Sequence, residues 1–212
     1  MRSIYIFLRK LFYPIIMQFR VASLNLKWRK GNPNNFTTVE NVFPLSKAKV
    51  GKGTYGPLNV KCYGNPLEKL VIGNFCSIAP GVIFILGGEH NYNCVSTYPY
   101  NYFYGDKHIA TKTKGPICVE DDVWIGENAI ILSGCKIGRG SVIGAGSIVS
   151  TDIPEYSIYA GNRILKRRFN EDEIKMLKKI DYQVLDINLM MKLEENKFSV
   201  VDIRDLVNSS IG

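Results

Sequence analysis

The sequence predicts an all-β core wound as a parallel coil, and three observations predict it. From Val119 the chain divides into six-residue units without a slip: VEDDVW, IGENAI, ILSGCK, IGRGSV, IGAGSI, VSTDIP. The first position of each unit is a β-branched aliphatic (Val119, Ile125, Ile131, Ile137, Ile143, Val149). The fifth is small or β-branched (Val123, Ala129, Cys135, Ser141, Ser147, Ile153). No other regular element has this period: a helix needs apolar spacing of three and four, and an alternating strand needs two.

Physically, each hexapeptide makes one short strand and one corner, and three of them complete a triangular turn of about 18 residues. Stacked turns lie about 4.8 Å apart, the ordinary strand spacing. The first-position aliphatic points inward, so Val119 should stack against Ile137 and Ile125 against Ile143. The fifth position also faces in and fills the space beside it. Glycines at the second position (Gly126, Gly138, Gly144) are assigned to the tight corners. One turn cannot cover its own apolar interior, so several must stack.

Taken in order, the chain reads as three parts. Residues 1–41 form a basic, amphipathic extension. It opens with MRSIYIFLRKLFYPIIMQFR, which holds apolar runs at Ile4–Leu8 and Leu11–Met17, interrupted by Arg9 and Lys10 and broken at Pro14. Neither run reaches the ~20 residues of a spanning helix, and no small-residue cleavage site follows a clean apolar stretch. Two readings of residues 1–20 stay open: peripheral contact with an anionic membrane surface, or a helix packed on the body of the protein or on a neighbouring subunit.

Residues 42–162 form the coil. Its earlier units are VGKGTY (50–55), IGNFCS and IAPGVI (72–83), and FILGGE from Phe84. The step from Phe84 to Val119 is one short of a multiple of six, so residues 87–115 must leave the coil as a loop. A long loop in a compact domain is functional or disordered, and this one carries too many aromatic residues for disorder. In residues 163–212, the segment AGNRILKRRF leaves the coil. Asn170 with Glu173 then makes a capping-box start to a helix with Ile174, Leu177 and Ile180 on one face. One or two further short helices are expected beyond it.

Composition narrows the chemistry. A chain of 212 residues with a net charge of +8 suits one domain with appendages. Two histidines cannot supply a three-imidazole metal site, and no metal is expected. Five cysteines without ligand spacing read as reduced thiols of a cytosolic protein. No nucleic-acid partner is expected.

The repeats, the GGEHN loop, the STYPY that follows and the GNRILKRRF exit together resemble the hexapeptide acyltransferases related to xenobiotic acetyltransferases. That group includes chloramphenicol and streptogramin acetyltransferases and many O-acetyltransferases of surface polysaccharides. The resemblance covers roughly Val42 to Phe169. Its specific part is the GG-x-HN…STYP loop, since the repeats alone mark only a left-handed β-helix. It implies a left-handed parallel β-helix with an extruded loop and a C-terminal α-helical appendage. It also implies a homotrimer with active sites between subunits, and acetyl-CoA as donor.

Within that resemblance His90 is the catalytic candidate. Acetyl transfer to an alcohol needs a base near neutral pH, and imidazole, with a reference pKa of about 6.5, suits the task. The resemblance implies direct transfer without an acyl-enzyme, so none of the cysteines need be a nucleophile. Glu89 and Asn91 flank the imidazole and are candidates to orient it, and Asn91 is also assigned to substrate binding. Tyr55 of GTYG matches the position of an aromatic near the acceptor, with simple packing as the alternative. Trp124 should project outward, and in the family lies near the pantetheine or acceptor end. Gly126, Ala145 and Gly146 would line the pantetheine groove. Lys166, Arg167 and Arg168 would meet the CoA phosphates, or form only a solvated basic turn. The family's Pro-Ala after Gly161-Asn162 is missing and the exit is two residues shorter. His108 has no motif around it and reads as a loop residue.

The function expected is transfer of acetyl from acetyl-CoA to a sugar hydroxyl of a surface polysaccharide or its precursor. The alternatives are O-acetylation of an antibiotic or another small-molecule acceptor, and N-acetylation of an amino sugar. A zinc hydratase on the same coil fails for want of a third histidine. A purely structural or ice-binding coil would not interrupt its repeats with an aromatic loop. The place expected is the cytoplasm, at the inner membrane face if residues 1–20 touch it.

Overall fold

In a computed structural model the six-residue repeat folds into a three-faced stack of short parallel strands. The structure describes residues 2–105, 111–185, 187, 188, 190 and 191. His108, and the further helices expected near the C-terminus beyond residue 191, lie outside the described residues. A helix, α1 (Arg2–Gly31), leads into β1 (Phe36–Val39), β2 (Ala48–Val50), β3 (Tyr55–Lys61), β4 (Leu70–Ile72), β5 (Ser77–Ile78) and β6 (Ile83–Ile85). After a long connection containing α2 (Tyr100–Tyr104) come β7 (Ile117–Val119), β8 (Trp124–Ile125), β9 (Ile130–Leu132), β10 (Lys136–Ile137), β11 (Val142–Ile143) and β12 (Ile148–Val149). The chain leaves the stack through β13 (Ser157–Ala160), β14 (Arg163–Arg167) and α3 (Glu171–Leu177).

One face is the ladder β2-β4-β7-β10, another runs through β5, β8, β11 and β13, and a third through β6, β9 and β12. Strand β3 serves two faces, pairing β5 at Tyr55 and β6 at Asn59–Lys61. Register follows the repeat. Val119 lies opposite Ile137, Ile125 opposite Ile143 and Ile131 opposite Val149, each partner three hexapeptides farther along the chain. Phe84 lies opposite Ile131, so the chain between those two strands makes one turn of the coil and also throws out the long connection.

First-position and fifth-position side chains from Val119 to Ile153 are all buried, as are Ile72, Cys76, Ile78, Val82 and Phe84 above them. Their apolar members make one continuous core along the coil axis. Burying an aliphatic side chain of this size stabilises by about 1.5–3 kcal/mol, which is why the stack holds with such short strands.

The corners are not at the second position, and this corrects the sequence reading. The corners carry left-handed backbone at Gly53, Phe75, Gly81, Asp122, Asn128, Gly134, Gly140 and Gly146, each the fourth position of its unit. Tyr156, past the last unit, is left-handed too and lies beneath Gly140. The second-position glycines serve a different need. A Cβ on Gly126 would lie 2.7 Å from the Ala145 amide nitrogen, and one on Gly144 would lie 2.7 Å from Ala160 Cβ. Successive turns approach too closely there for a side chain.

Helix α1 covers the terminal strand β1, whose far edge would otherwise be open. The indole of Trp28 is buried and donates to Thr37 Oγ1 at 2.9 Å. The Asn25 amide pairs like a strand, donating to Val39 O at 2.7 Å and accepting from Val39 N at 2.6 Å.

At the other end β13 and β14 form an antiparallel hairpin closed by Gly161 and Asn162, both left-handed. Asn170 caps α3 with the expected reciprocal box to Glu173. Ile174, Leu177 and Ile180 are buried with Tyr156, Tyr182 and Leu185 in a second small core.

Candidate active site

The connection between β6 and β7 leaves the coil through a narrow neck. Gly88 and Glu89 amides donate to Lys112 O at 3.1 and 3.2 Å, and the Lys112 amide donates back to Glu89 O at 3.1 Å. Thr113 Oγ1 donates to Leu86 O at 2.6 Å. Ser133, on the next turn of the coil, donates to Glu89 Oε1 at 2.6 Å. Glu89 therefore anchors the loop to the rigid stack, and His90 is the first residue beyond that anchor.

The imidazole of His90 is exposed, and its Nδ1 lies 2.7 Å from Thr97 O. A carbonyl oxygen can only accept, so Nδ1 carries a proton, and in the neutral ring the lone pair is on Nε2. The orienting partner is thus the Thr97 carbonyl, while the flanking side chains are engaged elsewhere. Asn91 donates to Cys94 Sγ at 2.6 Å and accepts from Lys112 Nζ at 2.9 Å. Directly after Thr97 begins a cluster of exposed rings. Tyr98 stacks on Phe103 with centroids 5.4 Å apart and meets Tyr100 edge-on at 4.8 Å, and Tyr102 meets Phe103 at 5.0 Å.

Tyr55 and Trp124 occupy another face. Tyr55 pairs with Ser77 and Ser77 pairs with Trp124, so the two aromatics share one ladder, two rungs or about 9.6 Å apart. Both side chains are more than half exposed, as outward positions require. Among the described residues no hydrogen bond or ring contact joins them to His90.

The expected donor-binding residues divide. Ala145 and Gly146 are exposed at a corner, and a Cβ on Gly146 would meet nothing within 4 Å. Gly126 is buried between turns and gives its amide to Ile143 O at 2.7 Å. Lys166 is exposed on β14, opposite Ile158. Arg167 donates to Glu155 O at 3.2 Å. Arg168 is committed to the fold: its guanidinium bonds Gly140 O, lies 4.0 Å from Asp122 and stacks on Phe169 at 4.9 Å. Burial raises the Asp122 carboxyl above its ordinary range, and Arg168 opposes that rise.

Three thiols are held away from nucleophilic chemistry. Burial pushes Cys76 up to about 12 and Cys62 up to about 11, and it raises Cys135 as well. A thiol, not a thiolate, is a weak nucleophile.

The family model "Bacterial transferase hexapeptide (six repeats)" matches residues 119–151. A probable macrolide acetyltransferase of Lysinibacillus sphaericus is 40% identical over 124 residues, which cover 54% of this chain and 69% of that protein. The chain belongs to the hexapeptide-repeat acetyltransferases. This acetyltransferase is also 39% identical over 120 residues to a chloramphenicol acetyltransferase of Escherichia coli, covering 52% of this chain and 57% of that one. It thus spans little more than half the length of that relative. Among solved structures, a hexapeptide-repeat-containing acetyltransferase of Vibrio cholerae overlaps 65% of this chain and 72% of its own, with 26% identity and a TM-score of 0.49.

The acetyltransferase holds features that the sequence reading missed. The Thr97 carbonyl is one, and a backbone oxygen leaves no mark in a sequence. The hairpin of β13 and β14 is another. Its signal was present, because a Gly-Asn pair between two apolar runs is a two-residue turn of left-handed residues.

Proposed function

We propose that this acetyltransferase uses acetyl-CoA to acetylate a sugar hydroxyl of a surface polysaccharide or its precursor, with His90 as general base. The observation that carries the reading is the His90 Nδ1 contact with Thr97 O, which leaves Nε2 as the acceptor. In the transfer, the acceptor oxygen attacks the thioester carbonyl carbon as Nε2 takes its proton. The carbon–sulfur bond then breaks, and the imidazolium returns the proton to the departing CoA thiolate. No acyl-enzyme is needed, in keeping with the raised Cys62, Cys76 and Cys135 thiols.

The exposed corner at Ala145 and Gly146 suits a thin pantetheine arm, and the cation of Lys166 suits a CoA phosphate. The ring cluster that starts beside Thr97 offers stacking faces to a sugar. We further read the coil as left-handed and the working form as a homotrimer, in which His90 of one protomer meets the Tyr55–Trp124 face of its neighbour. The separation of those groups on two faces of one chain supports this. The extension 1–41, the coil 42–162 and the appendage 163–212 are proposed as the functional divisions, and the cytoplasm as the place of action.

A second reading, O-acetylation of an antibiotic, is favoured by the macrolide and chloramphenicol relatives. One experiment tests both. Purified protein is given labelled acetyl-CoA and a panel of oligosaccharides, sugar nucleotides, macrolides and chloramphenicol, and products are read by mass spectrometry. Acetylated sugar supports the first reading and acetylated drug the second. With whichever acceptor reacts, His90→Ala should cut kcat by about 10²–10⁴ while CoA binding stays within a few-fold. Retention of activity within a few-fold would sink the general-base assignment.

A further inference from the structure

Helix α1 carries apolar residues on two opposite faces, and the fold covers only one of them. At 3.6 residues per turn, Met17, Val21, Leu24 and Trp28 fall in one row. That row faces the coil: Trp28 is buried, the other three are half-buried, and Leu24 packs against the main core.

Half a turn round the helix lie Leu11, Phe12, Ile15, Ile16, Phe19 and Leu26, between 49% and 76% exposed. Single exposed apolar residues are ordinary, but six large ones on one face, five of them within Leu11–Phe19, mark a contact surface. Charge identifies the partner. From Met1 to Val39 every charged side chain is a Lys or an Arg, and the first carboxylate of the chain is Glu40. Arg20 and Lys27 project along one margin of the exposed row, by the same helical geometry.

We propose that α1 is an interfacial helix that docks the protein on an anionic lipid surface. Its outer row enters the acyl boundary, and Arg20, Lys27 and their neighbours meet the headgroups. The opposite row keeps the helix on the coil, so the whole protein is held against the bilayer. The helix lies on the membrane and does not cross it, because no described helix is long and apolar enough to span. A second copy fits this face poorly: two such helices brought together would align cations with no carboxylate on either to pair them.

The test uses the full chain with sedimenting vesicles of phosphatidylcholine alone or mixed with phosphatidylglycerol. The protein should pellet with the anionic vesicles, less so at high salt, and stay in solution with neutral ones. Ile15→Glu with Phe19→Glu, and separately Arg20→Glu with Lys27→Glu, should each lower partitioning about tenfold or more. Both double variants change exposed side chains only, so thermal melting and solution mass should match the parent. Failure to bind anionic vesicles, or equal binding to neutral ones, overturns the proposal. So does a fall in solution mass for the Ile15–Phe19 variant, which would show the row covered by another copy of the chain.

Discussion

Gly126 and Gly146 lie on adjacent turns of the coil, yet a methyl group added to each should have different consequences. On Gly126 a Cβ would sit 2.7 Å from Ala145 N and 2.8 Å from Ile143 O, against 3.4 Å or more for ordinary contact. The turns would have to part locally by about 0.7 Å, the difference between 3.4 and 2.7. That movement stretches the Gly126 N to Ile143 O hydrogen bond from 2.7 Å toward its limit. Overpacking costs about 1–3 kcal/mol, and the weakened buried bond adds about 1 kcal/mol. Less about 0.4–1 kcal/mol from a stiffer unfolded chain, Gly126→Ala should therefore lose about 1–3.5 kcal/mol in all.

On Gly146 the same methyl meets nothing within 4 Å, and only the left-handed φ of +67° is penalised. That penalty is about 1–2 kcal/mol, offset by about 0.4–1 kcal/mol from the stiffer unfolded chain. At about 2–4 °C per kcal/mol for a chain of this size, Gly126→Ala should melt about 2–14 °C below the parent. Gly146→Ala should fall by no more than about 6 °C. Melting followed by circular dichroism at one fixed protein concentration reads both. If the proposed pantetheine groove runs over this corner, Gly146→Ala should also raise KM for acetyl-CoA several-fold with kcat retained. A Gly146→Ala protein more heat-labile than Gly126→Ala would refute the reasoning about how the turns approach.

Two further outcomes follow from the exit and the core. Lys166→Ala should raise KM for acetyl-CoA several-fold with little change in melting, whereas Arg168→Ala should lower stability by about 1–3 kcal/mol. The difference arises because Arg168 holds Gly140 O and stands beside the half-buried Asp122 carboxyl; equal KM effects without destabilisation would contradict the division. Alkaline stability should decline from about pH 9 upward. Below that pH the thiols are protonated in both states; above it unfolded thiols ionise near their ordinary 9.0 while Cys76 stays protonated until about 12. The unfolded state then binds fewer protons, so stability falls as pH rises. Denaturant unfolding under reducing conditions from about pH 8 to 10 should show this slope, flatter in Cys76→Ala.

What the sequence disclosed and what it concealed divide along a physical line. The first and fifth positions were legible because the interior is dry and repetitive: Ile125, Ile131 and Ile143 must be aliphatic, and Ala129, Cys135 and Ser141 must be small. The corners were misread although their marks were present in Gly81, Asp122, Asn128, Gly134 and Gly140. Those are the residue types that tolerate a left-handed backbone. They were obscured because Phe75 breaks the pattern at the same position, and because the second-position glycines draw the eye for another reason. His90 stood out by its motif, but the carbonyl that sets its tautomer belongs to a residue whose side chain takes no part in the contact. The shared ladder of Tyr55 and Trp124 was hidden by the long connection, which carries Trp124 far along the chain from Ser77, the rung between them.

The coil's geometry also accounts for where chemistry can reside. Each strand in the repeat region is very short, and its amides and carbonyls bond the turns above and below. Interior positions are filled by side chains, so the inside of the coil has no room for a ligand. What remains available is the outside of the corners and whatever the chain inserts between repeats. The insertion between β6 and β7 supplies His90, the proposed base, and the neck at Glu89, Lys112 and Ser133 ties its root to the rigid stack. Thr97, farther along the same insertion, fixes the direction of the ring. Since Tyr55 and Trp124 lie on a different face from the loop's origin, one chain alone presents an oriented imidazole and a separate aromatic surface. The proposed assembly of three chains is the simplest arrangement that brings these two halves onto the same acceptor.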